Sequence, residues 1–156
     1  HTLNHSLCKT LAFFSAGRLG QVYGTHDMSR ISGALRAAPL WGLGLFASLL
    51  ALIGVAPFAI FMSEFQIAKA AVDDAAYVPL ALFLLGGGVV FIGALRHVVL
   101  MAWGAPPDGT RPERACSCEW LLVWLPLLAL LGLGLWMPHS LYDALSQASA
   151  IVGGHP

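Results

Sequence analysis

The sequence has little charge, few cysteines and no run of basic residues, and each shortage excludes a class of protein. Only 10% of its 156 residues are charged and 58% are hydrophobic, whereas soluble domains carry about 25% charge. This composition excludes a solvated globular domain and indicates a membrane protein. Eight basic residues balance eight acidic ones. Since no cluster of cations could follow a phosphate backbone, a nucleic-acid partner is also excluded.

The three cysteines, Cys8, Cys116 and Cys118, are too few for a disulfide framework. Cys116 and Cys118 offer two thiolates where a structural zinc site uses four ligands, so we expect neither a metal nor a cofactor. The chain begins with His1, and its first residues lack the charged segment and small-residue cleavage site of a secretory leader, so we expect none there. We therefore expect the C-terminal piece of a longer protein.

Long uncharged apolar runs predict the fold class, an all-α membrane protein. About 20 helical residues cross the hydrocarbon core of a bilayer, which is roughly 30 Å thick. Four segments reach or exceed this length and predict about four transmembrane helices, followed by a tail. The spans are residues 1–23, 37–72, 77–103 and 119–138, and the tail is residues 139–156.

The second span is too long for one straight helix. From Pro39 to Val72 such a helix would measure about 50 Å, roughly 20 Å more than the hydrocarbon core. Pro57 has no N–H group, and its ring clashes with the preceding turn of a helix. The segment from Gly54 to Pro57 therefore predicts a discontinuous helix. Backbone groups freed at membrane depth need neighbouring protein or water, so we also expect local hydration.

The arginines predict the orientation of the chain. Loops on the cytoplasmic side of membrane proteins are enriched in Lys and Arg. The loops after the first and third spans hold Arg18, Arg30, Arg36, Arg96, Arg111 and Arg114, whereas the second loop and the tail hold only Lys69. The first set is therefore predicted to be cytoplasmic, and the C-terminus to lie on the outer face.

His1, His5 and Lys9 recur every fourth residue and would share one face of a helix. A lysine inside a span costs about 2.5 to 3.5 kcal/mol and usually faces a bundle interior or a hydrated path. Because histidine titrates near neutral pH, the row predicts a proton relay. The alternative is that the histidines lie at the interface and Lys9 snorkels to it. A metal site fits the His spacing poorly, because a protonated Lys9 would repel a cation.

Glu64 and His97 are the other titratable candidates. Glu64 stands about two turns beyond Pro57, close to the expected hydration, and predicts a carboxyl group that carries protons. The alternative is an interfacial ion pair with Lys69, five residues later. His97, near the end of the third span, fits either a link from the relay to the cytoplasm or a hydrogen bond to a neighbouring helix.

Several motifs of this chain occur together in one known family of membrane proteins. Residues 1–17 with their His, His and Lys, then Tyr23-Gly-Thr-His-Asp27, Gly54-Val-Ala-Pro-Phe58 and Phe61-Met-Ser-Glu-Phe65, resemble the antiporter-like proton-translocating membrane subunits. That family comprises large hydrophobic chains of respiratory complex I, the Mrp cation/proton antiporters and the membrane arms of group 4 hydrogenases. The Ser-Glu-Phe form looks most like the component F group of hydrogenase-4. The resemblance covers residues 1–107.

The resemblance implies fourteen helices in the whole subunit, with two inverted repeats that each contain a discontinuous helix. It assigns His1, His5 and Lys9 to the relay of the second half-channel, and Glu64 to its terminal titratable residue. It implies a transport subunit that catalyses no covalent chemistry, in a redox-driven complex of a bacterial or archaeal inner membrane. Protons, the lipid bilayer and other membrane subunits would be its partners. The alternatives are a Na⁺/H⁺ antiporter subunit, a haem-binding bundle using His5 and His97, and a purely structural anchor.

Overall fold

The computed structural model describes residues 1–110 and 114–153, and over these residues the chain is helical without strands. The predicted all-α class is therefore confirmed. Arg111 of the charge count and residues 154–156 of the predicted tail lie outside the described residues. The helices are α1 Thr2–Tyr23, α2 Ala34–Ala37, α3 Pro39–Leu52, α4 Ala59–Asp73, α5 Tyr77–Ala102, α6 Ser117–Leu135 and α7 His139–Gly153, with a 3₁₀ turn at Met28–Arg30.

Local chemistry explains where the helices begin and end. Gly24 adopts the left-handed conformation, with φ 64°, and its N–H donates to the Gly20 carbonyl, which is a common way to end a helix. Proline stands in the first turn of α3, where no N–H partner is needed. At the start of α6, the Glu119 carboxylate accepts the Cys116 N–H at 2.8 Å and completes a capping box.

The number of membrane spans is only partly supported. By length and composition, α5 and α6 could each cross a membrane. Helix α1 has 22 residues but many polar side chains, while α3 and α4 have 14 and 15 residues and are separately too short. The count of four spans is thus not confirmed and stays a prediction.

The long second segment is interrupted at the position that the sequence predicts. Residues 53–58 leave the helical path between α3 and α4. Gly54 lies in the left-handed region with φ 75°, and Pro57 stands three residues later. Inside the interruption, the Val55 N–H donates to the Leu50 carbonyl at 3.1 Å. We call residues 53–58 the helix break.

Helices α1, α3, α4 and α6 pack around the helix break and the segments that flank it. One buried apolar cluster includes Leu11, Leu19, Trp41, Leu45 and Val123. A second cluster adjoins the helix break and consists of Cys8, Ala51, Ala59, Ile60 and Leu130. By contrast, α5 leaves the apolar side chains of its middle turns exposed, as suits contact with lipid or with further helices.

Gly134 brings α6 directly against the helix break. A Cβ atom at this position would overlap the Pro57 carbonyl oxygen and would lie 2.7 Å from the Ala59 nitrogen. We expect Gly134→Val to force α6 off the helix break and to lower stability by about 1–3 kcal/mol, the usual cost of overpacking. The measurement is the thermal unfolding midpoint in detergent. Gly132→Val is the matched control, since that Cβ would meet nothing within 4 Å; equal midpoints would contradict the prediction.

Candidate functional site

His1, His5 and Lys9 share one face of α1, as their spacing predicts. The His1 carbonyl accepts the His5 N–H at 2.9 Å, and the two rings stack with their centroids 5.9 Å apart. One turn further, the Lys9 Nζ lies 5.7 Å from the centre of the Phe13 ring, within the range of a cation–π interaction. His1 is exposed, whereas His5 and Lys9 are half-buried. We call these three residues the titratable row.

A buried polar stripe on α1 places this row at the edge of a helix interface. Asn4 precedes His5 and Cys8 precedes Lys9, so each buried residue lies about 100° around the helix from a member of the row. The Asn4 Nδ2 donates to the Ala59 carbonyl at 3.4 Å. The Cys8 thiol donates to the Ser48 carbonyl at 3.0 Å. These bonds hold α1 against α3 and against the start of α4.

His1 connects the titratable row to α4. Its Nδ1 lies 2.9 Å from the Ser63 hydroxyl oxygen, and that hydroxyl donates to the Ile60 carbonyl at 2.8 Å. Because the hydroxyl hydrogen is already used, His1 is the donor in this contact. Ser63 is the residue before Glu64, so the His1 end of the row meets the helix that carries the predicted carboxyl group.

The Glu64 carboxyl group folds back onto the helix break. Its Oε2 occupies the space that a Cβ atom on Gly54 would need, and the positive φ of Gly54 also favours glycine there. Glu64 is half-buried and lines a cavity of about 610 Å³ together with Leu52, Ile53 and residues 86–88 of α5. We call this space the Glu64 cavity.

Lys9 lines a different cavity, of about 270 Å³, and shares it with His26. The loop after α1 turns back so that the His26 ring packs on Gly20. We call this space the Lys9 cavity; its apolar lining includes Phe13, Leu45, Leu49, Leu52 and Met101. Sequence reasoning misses His26 as a site residue, because its spacing from Lys9 matches no helical period. The signals that could have found it are the motif Tyr23-Gly-Thr-His-Asp27, which contains it, and the small Gly20 that faces the loop.

The loop that carries His26 is ordered by Asp27. The Asp27 carboxylate accepts hydrogen bonds from the Ser29 backbone at 3.0 Å and from the Ser29 hydroxyl at 2.7 Å. Both bonds favour the charged form, so they hold the pKa of Asp27 below its ordinary value. Asp27 is exposed, so its role is to stabilise the turn through its hydrogen bonds to Ser29.

The remaining candidates lie apart from this group. His97 is exposed on α5, and its Nδ1 lies 2.7 Å from the Gly93 carbonyl of its own helix. Lys69 pairs with Asp73 at 3.3 Å, so the alternative ion pair of Glu64 with Lys69 is not made. Within residues 1–110 and 114–153, no hydrogen bond or ion pair joins Lys9 to Glu64, or His5 to His97.

Known proteins share the part of the chain that contains this arrangement. A family model described as NADH:quinone oxidoreductase/Mrp antiporter, TM, matches residues 1–90, a range that contains the titratable row, the helix break and Glu64. A hydrogenase-4 component F homolog of Methylacidiphilum infernorum is 29% identical over 97% of the chain. An Na⁺/H⁺ antiporter subunit of Bacillus subtilis is 26% identical over 86%, and an NADH-quinone oxidoreductase subunit of Myxococcus xanthus is 34% identical over 81%. The chain spans 31%, 28% and 24% of these relatives, respectively.

Proposed function

The chain belongs to the NADH:quinone oxidoreductase/Mrp antiporter family of membrane proteins, and from this premise we propose that it carries protons through part of a redox-driven membrane complex. The observation that carries the proposal is the contact of His1 with Ser63. This contact joins three titratable side chains on α1 to the helix of a fourth, Glu64, whose carboxyl group lies against the helix break. Titratable groups kept at membrane depth usually mark an ion path.

The proposed route follows the order of these groups in space. Protons enter the Lys9 cavity from the side of His26, pass from Lys9 to His5 and His1, and reach Glu64 by way of the Ser63 hydroxyl, which rotates away from the Ile60 carbonyl, and bridging water. Successive groups in the row are one helical turn apart, about 5.4 Å, so water must bridge them. Each imidazole accepts a proton on one nitrogen and releases one from the other, and a hydroxyl both donates and accepts.

The helix break supplies the hydrated end of this route. Broken helices at membrane depth expose backbone groups that bind water or ions, and Glu64 lies where such water would collect. Among the described residues, none of the contacts that support the route involves His97. We propose it as a link to the cytoplasm only through water, since its own hydrogen bond is to α5.

The proposed setting is a multi-subunit complex in the inner membrane of a bacterium or archaeon. The energy would come from electron transfer in partner subunits of a hydrogenase-4 or complex I-like assembly, so this chain catalyses no covalent step. From the distribution of arginines we propose that the loops after α1 and α5 lie in the cytoplasm and the C-terminus lies outside. In this orientation the His26 loop faces the cytoplasm, which supplies the protons.

A second candidate function is sodium/proton antiport. One relative is an Na⁺/H⁺ antiporter subunit, and the Glu64 carboxylate lies beside a helix break whose carbonyl groups are not all used within helices. Carboxylate and carbonyl oxygens are the ligands that hard cations prefer. In this case Glu64 would bind sodium and protons alternately.

Inverted membrane vesicles test the proposal and separate the two candidates. The vesicles come from cells with the native gene and from cells lacking it, and a pH-sensitive dye reports acidification of the interior. Redox-driven pumping predicts acidification by an electron donor in sodium-free buffer, lost in the deletion. Antiport predicts instead that added sodium releases protons from acidified vesicles without an electron donor. Vesicles that behave alike in both assays, with and without the gene, would contradict both functions.

A further inference from the structure

Leu52, the last residue of α3, stands between the two cavities of the candidate site. It lines the Lys9 cavity and also the Glu64 cavity, and among the described residues it is the one that the two linings have in common. Its neighbours are divided: Leu49 lines only the Lys9 cavity and Ile53 only the Glu64 cavity. The Leu52 side chain therefore borders both the space beside Lys9 and the space beside Glu64.

The packing of Leu52 keeps it in this place. It lies against the buried cluster beside the helix break, which includes Cys8, Ala51, Ala59 and Leu130. A leucine side chain can neither donate nor accept a proton, and apolar constrictions exclude water from narrow passages. An apolar side chain at this border opposes a continuous file of water from one cavity to the other.

We propose that Leu52 is a dry partition that prevents direct proton exchange between Lys9 and Glu64. The inference rests on the proposed function, since it concerns the route of the same protons. With the partition in place, protons from Lys9 must travel through His5 and His1 to reach α4. Without it, the two cavities would merge, and protons could run back down their gradient without being coupled to electron transfer.

The test measures passive proton leak in inverted vesicles that contain the native complex and no electron donor. After an imposed pH jump, Leu52→Asn is expected to speed the collapse of the gradient about tenfold, because a polar side chain removes most of the cost of wetting the constriction. Leu52→Met keeps the apolar seal and should stay as tight as the native protein. Leu49→Asn and Ile53→Asn, which each line one cavity only, should show no added leak.

Two further variants make the result decisive. Adding Lys9→Ala to Leu52→Asn should return the leak to the native level, because the passage would lose its inner proton carrier. A leak that persists in the double variant would place the passage elsewhere and overturn the partition. Unchanged tightness in both Leu52→Asn and Leu52→Ala, at normal protein levels, would overturn it as well. Neither outcome affects the relay itself, which is tested by redox-driven pumping in Lys9→Ala with Leu52 intact.

Discussion

Replacing Lys9 with alanine is expected to abolish proton pumping while the amount of assembled protein stays nearly normal. In the proposed route, Lys9 is the step between the cavity that it shares with His26 and the stacked pair of His5 and His1. A positioned proton-transferring side chain contributes about 10²–10⁴-fold to a rate, so redox-driven acidification should fall by at least about 100-fold. Packing loss is small, because Lys9 is half-buried and the ring that its ammonium group contacts, Phe13, is itself exposed.

Lys9→Arg separates proton transfer from charge. Arginine keeps the positive charge and the contact with Phe13, but it does not lose its proton in proteins. We therefore expect Lys9→Arg to pump no better than Lys9→Ala. Lys69→Ala is the matched control, since Lys69 is exposed and pairs with Asp73 on its own helix. Normal pumping in Lys9→Ala would remove Lys9 from the route, and restored pumping in Lys9→Arg would show that charge alone matters.

The helical architecture and the helix break could be predicted because their causes are local. Uncharged runs and the missing N–H of Pro57 act within a few residues of chain, and the structure interrupts the helix at residues 53–58. The number of spans is harder to predict from the sequence, since α3 and α4 are each too short to cross a bilayer alone. Whether two half-helices cross a bilayer together depends on the helices around them, and local hydropathy does not contain that information.

The candidate site could be predicted in its members but not in its connections. The four-residue spacing gives the shared face of His1, His5 and Lys9, because that face is a property of one helix. The contact of His1 with Ser63 and the approach of His26 to the Lys9 cavity depend on how α1 packs on its neighbours and on the path of a loop. Neither has a periodic signal. The spacing alone therefore leaves open which member of the row lies next to α4, whereas the contacts show that it is His1.

Glu64→Gln is expected to stop proton transfer at the far end of the route. Glutamine has nearly the same shape, so it can still fold onto Gly54, but its amide cannot carry a proton at any accessible pH. Redox-driven acidification should fall by at least about 100-fold, the loss expected for a missing proton carrier. Glu64→Asp keeps a titratable carboxyl group on a shorter side chain and should retain part of the rate.

Asp74→Asn serves as the matched control for Glu64, because it removes an exposed carboxylate at the end of the same helix. Asp74→Asn should pump normally.

The Glu64→Gln variant also separates the two candidate functions. If Glu64 binds sodium, Glu64→Gln loses the sodium response while redox-driven acidification in sodium-free buffer continues. If Glu64 carries protons, that acidification disappears. Full acidification together with an unchanged sodium response in Glu64→Gln would show that the carboxyl group at the helix break serves neither ion.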